Sequence, residues 1–150
     1  MRATDQLKTL RGLVDLRRLQ VRAAETKVAR AATDRAAAAS RAEEGAVALA
    51  ADEEQWHGLA TRGRFDPDAT GRWARAICQG AERGVEQTAS LDAARRREAD
   101  ARSEWQQALA HADAADARLD DTTRAVRRRE DEAALHRTAE RHMAVWGRRG

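Results

Sequence analysis

The sequence has little of what a thick globular core or a β-sheet requires. Its 150 residues include no tyrosine, one proline, one cysteine and 3% aromatics. Only 26 residues are leucine, valine, isoleucine, methionine, phenylalanine or tryptophan, against 36 alanines and 26 arginines. Alanine, arginine, glutamate and leucine favour helices, whereas β-branched and aromatic residues favour strands. The composition therefore excludes a strand-rich domain and predicts an all-α protein made of long, exposed helices.

Other absences bear on where the chain functions. The single cysteine, Cys78, cannot form an internal disulfide, which fits a reducing compartment. No apolar run approaches the roughly 18 to 20 residues of a membrane span. Residues 1–10 also lack the apolar stretch, roughly 7 to 15 residues long, of a secretory signal. We therefore expect a cytoplasmic protein that does not insert into a membrane.

The sequence does not predict an enzyme. It has only three serines and no glycine-rich phosphate loop, and long paired helices offer no dry concave pocket for a nucleophile and a base. His136 and His142 are six residues apart, which puts them about 240° apart around a helix, and no HExxH pattern occurs. We expect no catalytic residues, no metal site and no cofactor.

One break divides the chain into two helices. The only proline, Pro67, follows a glycine, Gly63, that can end one helix, and an aspartate, Asp66, that can cap the next. Proline itself fits the first position of a helix, where its missing N–H is not needed. We predict a first helix over about 5–62 and a second over about 67–146.

Both predicted helices carry a seven-residue apolar repeat, the pattern of a coiled-coil seam. In the first helix the seam comprises Leu7, Leu10, Val14, Val21, Ala24, Val28, Ala31, Ala38, Ala42, Leu49 and Trp56. In the second it comprises Ile77, Ala81, Thr88, Leu91, Trp105, Ala112, Leu119, Val126 and Ala133, with interruptions at Gly84 and Glu98.

The predicted loop over about 63–66 is short, and two long helices joined by a short loop normally pack antiparallel. We predict one domain, an antiparallel coiled-coil hairpin whose second helix is longer than the first. The residue numbers of facing partners should sum to about 128, which leaves about 20 C-terminal residues unpaired. Alone, the protein should be a monomer.

The chain ends combine basic charge with an excess of leucine. Residues 1–30 carry eight basic and three acidic side chains, and residues 124–150 carry eight and four, so the two ends together sum to +9. Leu13, Leu16 and Leu19 lie on other faces than the seam, so that one partner helix cannot cover them all. Either a frayed end is overpacked or a second surface docks there. The arginines either face solvent or steer the encounter with an acidic or polar partner.

Aromatic residues concentrate around the loop. Trp56, Phe65 and Trp73 are three of only five aromatics in the chain. Closure of the hairpin can use one or two of them as core. The alternative is a protein-contact site, because tryptophan is typical of interface anchors.

These features resemble the FliJ/YscO (SctO) stalk family of type III secretion systems. The likeness covers nearly the whole chain: a leucine-rich start, LKTLRGLVDLRRL over 7–19; a mid-chain break; and an Arg/Glu-rich second helix, RRREDEAALHR over 127–137. Family members form the central stalk of a hexameric export ATPase, similar to the coiled coil of the rotary-ATPase γ subunit. The resemblance implies a flagellar or virulence (injectisome) export apparatus, at whose cytoplasmic base the protein is located.

The resemblance also implies partners and contact residues. The paired chain ends would bind and stimulate the export ATPase, the loop end would reach the export gate membrane protein, and export chaperones are further partners in the family. The implied ATPase-binding residues are Leu13, Leu16, Arg17, Arg18, Arg124, Arg127 and Arg128. The implied gate-binding residues are Trp56, Phe65 and Trp73.

Two other functions remain open. A nucleic-acid-associated coiled coil could place its arginines on phosphates, with strongly salt-dependent affinity. The acidic residues 130–132 interrupt the strongest basic run and no base-reading motif occurs, so nucleic acid is not an expected partner. A generic scaffold or phage-type coiled coil would be expected to self-associate.

Overall fold

The computed structural model describes the backbone of residues 3–148 and the side chains of residues 5–148. The described chain is all-α and contains two long helices, α1 (Ala3–Arg62, 60 residues) and α2 (Pro67–Trp146, 80 residues). They pack antiparallel as a coiled-coil hairpin, and the second helix is the longer one. The bounds lie within two residues of those predicted.

The loop between the helices follows from three local signals. The Asp66 carboxylate caps α2, since its Oδ1 accepts hydrogen bonds from the backbone N–H groups of Asp68 at 3.0 Å and Ala69 at 3.3 Å. Pro67 is the first residue of α2, as predicted. Gly63 directly follows the last residue of α1, and it does so without a left-handed backbone conformation.

The chain divides into two compact units, each of which contains a segment of both helices. The loop unit is Ala24–Trp105 and includes the connection between the helices. The terminal unit combines Met1–Ala23 with Gln106–Gly150.

The seam on α1 is longer and more regular than the apolar pattern indicated. Buried or half-buried residues recur in steps of three and four from Leu7 to Trp56 without a gap. Every predicted seam residue of α1 belongs to this series, so that prediction is confirmed. Four further positions complete it, namely Arg17, Arg35, Gly45 and Asp52. They were missed because none of them is apolar.

The predicted seam of α2 is wrong in its middle and at its end. The observed series also runs in steps of three and four. Its members are Trp73, Ile77, Gly80, Gly84, Gln87, Leu91, Ala94, Glu98, Ala101, Trp105, Ala108, Ala112, Ala115, Leu119, Thr122 and Val126. Ala81, Thr88 and Ala133 are exposed instead. Gly84 and Glu98 do not interrupt the seam but belong to it. The prediction expected apolar residues at the seam positions, whereas small and polar residues occupy several of them.

Small residues let the two helices of the loop unit approach closely. Ala24, Ala38, Ala94 and Ala101 are all at least nine-tenths buried. On Gly80, a Cβ atom would lie 3.0 Å from Leu49 Cδ1. The larger side chain of one helix therefore rests on the backbone of the other, which is the interdigitation that dense packing requires.

Contacts between the helices define their register. Within the loop unit, the partners Leu49 and Gly80 sum to 129. Lys27 Nζ lies 3.1 Å from Glu104 Oε2, and these residue numbers sum to 131. Helical side chains lean toward the N-terminus of their own helix. In antiparallel helices, the residue numbers of two contacting side chains therefore add up to slightly more than the residue numbers of two backbone positions at the same level. The contacts therefore agree with the predicted sum of about 128 to within about one turn.

A cluster of ionic side chains interrupts the alanine-rich core of the loop unit. Glu98, with 5% exposure, is the only polar residue among the described ones that is buried. Its Oε2 lies 2.8 Å from Arg35 Nε and its Oε1 accepts a hydrogen bond from an Arg102 guanidinium NH2 at 2.8 Å. The Arg35 N–H is not aligned with Oε2, so this contact is an ion pair rather than a hydrogen bond. Both carboxylate oxygens thus face a cation.

The buried carboxylate predicts an asymmetry between variants of the loop unit. Arg35→Met leaves Glu98 with only the more exposed Arg102, and should lower the free energy of unfolding by about 2 kcal/mol, because breaking a buried pair leaves a poorly compensated charge. The double variant Arg35→Met/Glu98→Leu should regain stability to within about 1 kcal/mol of the unchanged protein. Urea denaturation measures both. A double variant no more stable than the single one would contradict this.

Candidate functional sites

The first candidate site is the leucine-rich start of α1 in the terminal unit. Leu13 is half-buried, whereas Leu16 is 51% and Leu19 is 60% exposed. Val14, between them in sequence, is buried in the seam. The prediction that one partner helix cannot cover all these leucines is confirmed.

The arginines near these leucines are engaged within the chain. Arg17 occupies a half-buried seam position, and its NH1 donates a hydrogen bond to Gln20 Oε1 at 2.9 Å. Arg18 NH2 lies 3.0 Å from Asp116 Oδ1 and forms an ion pair that joins α1 to α2. The partner of Arg18 on the other helix could not be read from the sequence, which gives no distance between residues 18 and 116.

The α2 arginines of the candidate site differ from the α1 arginines in having no partner. Arg124, Arg127 and Arg128 are exposed, and none of them makes an ion pair or side-chain hydrogen bond to another described residue. A charged group that makes no contact within the chain can bind an external anion without breaking an existing ion pair. The structure thus divides the predicted basic site into a structural part on α1 and an available part on α2.

Beyond Val126, α2 continues without a partner. Every residue from 127 to 148 is exposed, which confirms the predicted unpaired C-terminal segment of about 20 residues. Arg149, an arginine of the basic end, lies outside the described residues. We call residues 127–146 the α2 extension.

The α2 extension also carries apolar residues that the sequence analysis missed. Leu135 is 72%, Met143 76% and Trp146 81% exposed. The spacing of Leu135, Ala139 and Trp146 puts them on one face of the helix. That spacing was the available signal. These residues do not continue the seam face of α2, so the heptad pattern does not include them.

The second candidate site surrounds the loop. Trp56 and Trp73 are half-buried, while Phe65 is 81% exposed. All three line one cavity of about 460 Å³. Its other lining residues are Leu59, Ala60, Gly63, Arg64, Asp66, Ala69 and Thr70. The structure therefore brings the three predicted gate-binding residues together around an apolar cleft that an apolar side chain of a partner could enter.

Potential metal ligands do not cluster in the part of the chain that the structure describes. No group of three or more histidine, cysteine, aspartate or glutamate side chains could hold a metal ion there. His136 Nδ1 and Glu140 Oε1, 3.3 Å apart, form an isolated exposed pair. Neither described helix contains a segment long and apolar enough to cross a bilayer.

Comparison of the chain with protein-family models, with curated proteins and with solved structures found no match. A functional interpretation therefore depends on the two candidate sites and on the resemblance described above.

The loop cavity predicts different effects for its aromatic residues. Phe65→Ser should change the free energy of unfolding by less than about 0.5 kcal/mol, since an exposed side chain contributes little packing. Trp73→Ala should lower it by about 2 kcal/mol, roughly half the loss for a fully buried tryptophan. Chemical denaturation followed by circular dichroism measures both. Equal effects of the two substitutions would show that Phe65 packs against the cavity.

Proposed function

We propose that the protein is a non-enzymatic stalk of a type III secretion system, flagellar or virulence-associated. In this proposal its terminal unit binds and stimulates a hexameric export ATPase, and its loop unit contacts the export gate membrane protein. Both contacts form at the cytoplasmic base of the secretion apparatus. The main support is the unpaired, arginine-containing α2 extension, which leaves the end of a helical hairpin free to enter a partner.

The ATPase contact is assigned first to the arginines that have no partner within the chain. Arg124, Arg127 and Arg128 are solvated and lie on consecutive turns where α2 leaves α1. Complementary charge across an interface accelerates and orients docking. An acidic ring of binding positions on the ATPase would provide that complement.

Leucine supplies the apolar part of the same contact. Leu16 is half exposed in the terminal unit, and apolar anchors that become desolvated contribute most of the affinity of an interface. Arg17 and Arg18 have a different role in this proposal. Because Arg18 is paired with Asp116, it holds the two helices together beside the contact surface.

The gate contact is assigned to the loop cavity. Phe65 is available because it is almost fully exposed, and Trp56 and Trp73 form the walls of a cleft beneath it. Aromatic residues around a cleft are typical anchors for a partner side chain. The Arg64 guanidinium lines the same cleft and can donate hydrogen bonds to carbonyl groups of the partner backbone.

The test of the ATPase contact uses charge reversal. The triple variant Arg124→Glu/Arg127→Glu/Arg128→Glu should abolish stimulation of ATP hydrolysis by the purified export ATPase, because attraction becomes repulsion. Arg83→Glu/Arg96→Glu/Arg97→Glu changes the net charge equally in the loop unit and should retain stimulation. So should Phe65→Ser, which alters only the gate contact. Undiminished stimulation by the first variant would refute the basic-end assignment, and no stimulation by the unchanged protein would refute the proposed function.

A further inference from the structure

The terminal unit exposes two stripes of equal length in which all residues but His142 are apolar or glycine. Each has four residues in steps of four, three and four, the spacing of a coiled-coil seam. The α1 stripe is Gly12, Leu16, Leu19 and Ala23. The α2 stripe is Leu135, Ala139, His142 and Trp146. All eight residues are exposed, so neither stripe is covered within the chain.

The α1 stripe lies on a different face from the seam. Val14 and Val21 belong to the seam and contact α2, whereas Leu16 and Leu19 are more than half exposed. On Gly12 a Cβ atom would meet nothing within 4 Å. The stripe therefore opens to solvent and includes a notch at Gly12.

We propose that a second copy of this chain covers both stripes, with the α2 extension of each chain packed parallel to α1 of the other. When each α2 stripe residue faces the α1 stripe residue whose number is lower by 123, the side-chain sizes of the two stripes are complementary. The facing layers are Leu135 on Gly12, Ala139 on Leu16, His142 on Leu19, and Trp146 on Ala23. In each layer a large side chain meets a smaller or differently shaped one, as interdigitated packing requires.

The same offset pairs opposite charges one heptad further along. Arg128 would face Asp5, and both are exposed and make no ion pair with another described residue. The match in size and the match in charge thus select the same alignment. This complementarity, which uses residues from both helices, favours a second copy over an unrelated partner.

The geometry of the terminal unit allows both contacts to form at once. Arg18 contacts Asp116, so α1 begins beside the point where α2 becomes fully exposed, just after Val126. A twofold axis that crosses α2 at about Arg127 or Arg128 places each extension along α1 of the other chain. Such a contact is self-complementary and closed, and it ends at a dimer.

The predicted interface is large enough for a specific dimer. Each chain contributes five layer positions on α1 and five on α2, and flanking residues raise this toward the roughly 20 to 30 residues per side of a stable interface. Both surfaces are nevertheless basic, because residues 5–23 carry five basic and two acidic side chains and residues 127–148 carry six and four. Salt screens this repulsion, so the dimer should tighten as salt is added.

The dimer replaces the expectation of a monomer, and it stands apart from the proposed function. It would cover Leu16, so the dimer and the ATPase would compete for the terminal unit. Its tests use the purified chain alone and give the same answer whether or not the protein binds an ATPase.

Sedimentation equilibrium of the full chain provides the first test. Over about a hundredfold range of concentration, the mass should rise from 16.6 kDa to about twice that value. Gly12→Arg fills the notch without a clash inside the chain and should weaken the dimer at least about tenfold. Gly58→Arg is the matched control, because a Cβ there also meets nothing within 4 Å. A monomer throughout, equal effects of the two substitutions, or masses that keep growing beyond the dimer would overturn the proposal.

A disulfide provides the second test. In a Cys78→Ser background, Gly12→Cys with Leu135→Cys should form a covalently linked dimer on oxidation. Within one chain residue 12 lies level with about residue 120 of α2, so residue 135 is about 22 Å away, well beyond the roughly 7 Å limit for a disulfide. Gly12→Cys with Arg137→Cys places the second thiol on the opposite face and should not link. Absence of linked dimer, or equal linking in the control, would contradict the proposed alignment.

Discussion

The ion pair between Glu98 on α2 and Arg35 on α1 favours one alignment of the two helices. The seam around this ion pair in the loop unit is mostly alanine, including Ala38 and Ala94, which are both nearly fully buried. A slide of seven residues would place alanine on alanine again. It would also separate the buried Glu98 carboxylate from Arg35 and leave it only Arg102 of its own helix, and a buried charge that loses a partner is unfavourable. We infer that the ion pair between the helices specifies register more than it adds stability.

Because the seam consists largely of small residues, several larger apolar side chains of the chain remain exposed to solvent. The core uses alanine and glycine where most coiled coils use leucine. Several of the large apolar residues in the chain therefore have no place in it. Leu16, Phe65 and Trp146 are each at least half exposed, and they occur at the loop and near the chain ends. Leu16 of the first candidate site, Phe65 of the second and both stripes of the proposed dimer are residues that the core does not use.

The sequence predicted those features that depend on neighbours along the chain. Gly63, Asp66 and Pro67 act locally, so the helix bounds could be predicted closely. The α1 seam was also predicted, because apolar residues mark most of its positions. The middle of α2 was not, since Gly84 and Glu98 occupy seam positions that only the opposite helix explains.

The candidate sites were predicted in part for the same reason. The three aromatic residues of the loop are close in sequence, so their meeting at one cavity followed from the hairpin. The basic end was harder, because the state of each arginine depends on distant residues. Arg18 is paired with Asp116, whereas Arg127 has no partner among the described residues. The apolar residues of the α2 extension were not predicted as a stripe because they do not continue the face of α2 that packs on α1.

The most direct test of the register is a distance measurement by pulsed electron paramagnetic resonance within the loop unit. Spin labels at Ser40→Cys and Ser90→Cys, in a Cys78→Ser background, lie on exposed positions of α1 and α2. We predict one narrow distance in this protein. With Arg35→Met/Glu98→Leu added, further distances should appear that correspond to slides of about 10 Å, one heptad along the helix. A single unchanged narrow distance in the substituted protein would contradict the account and assign the register to the loop instead.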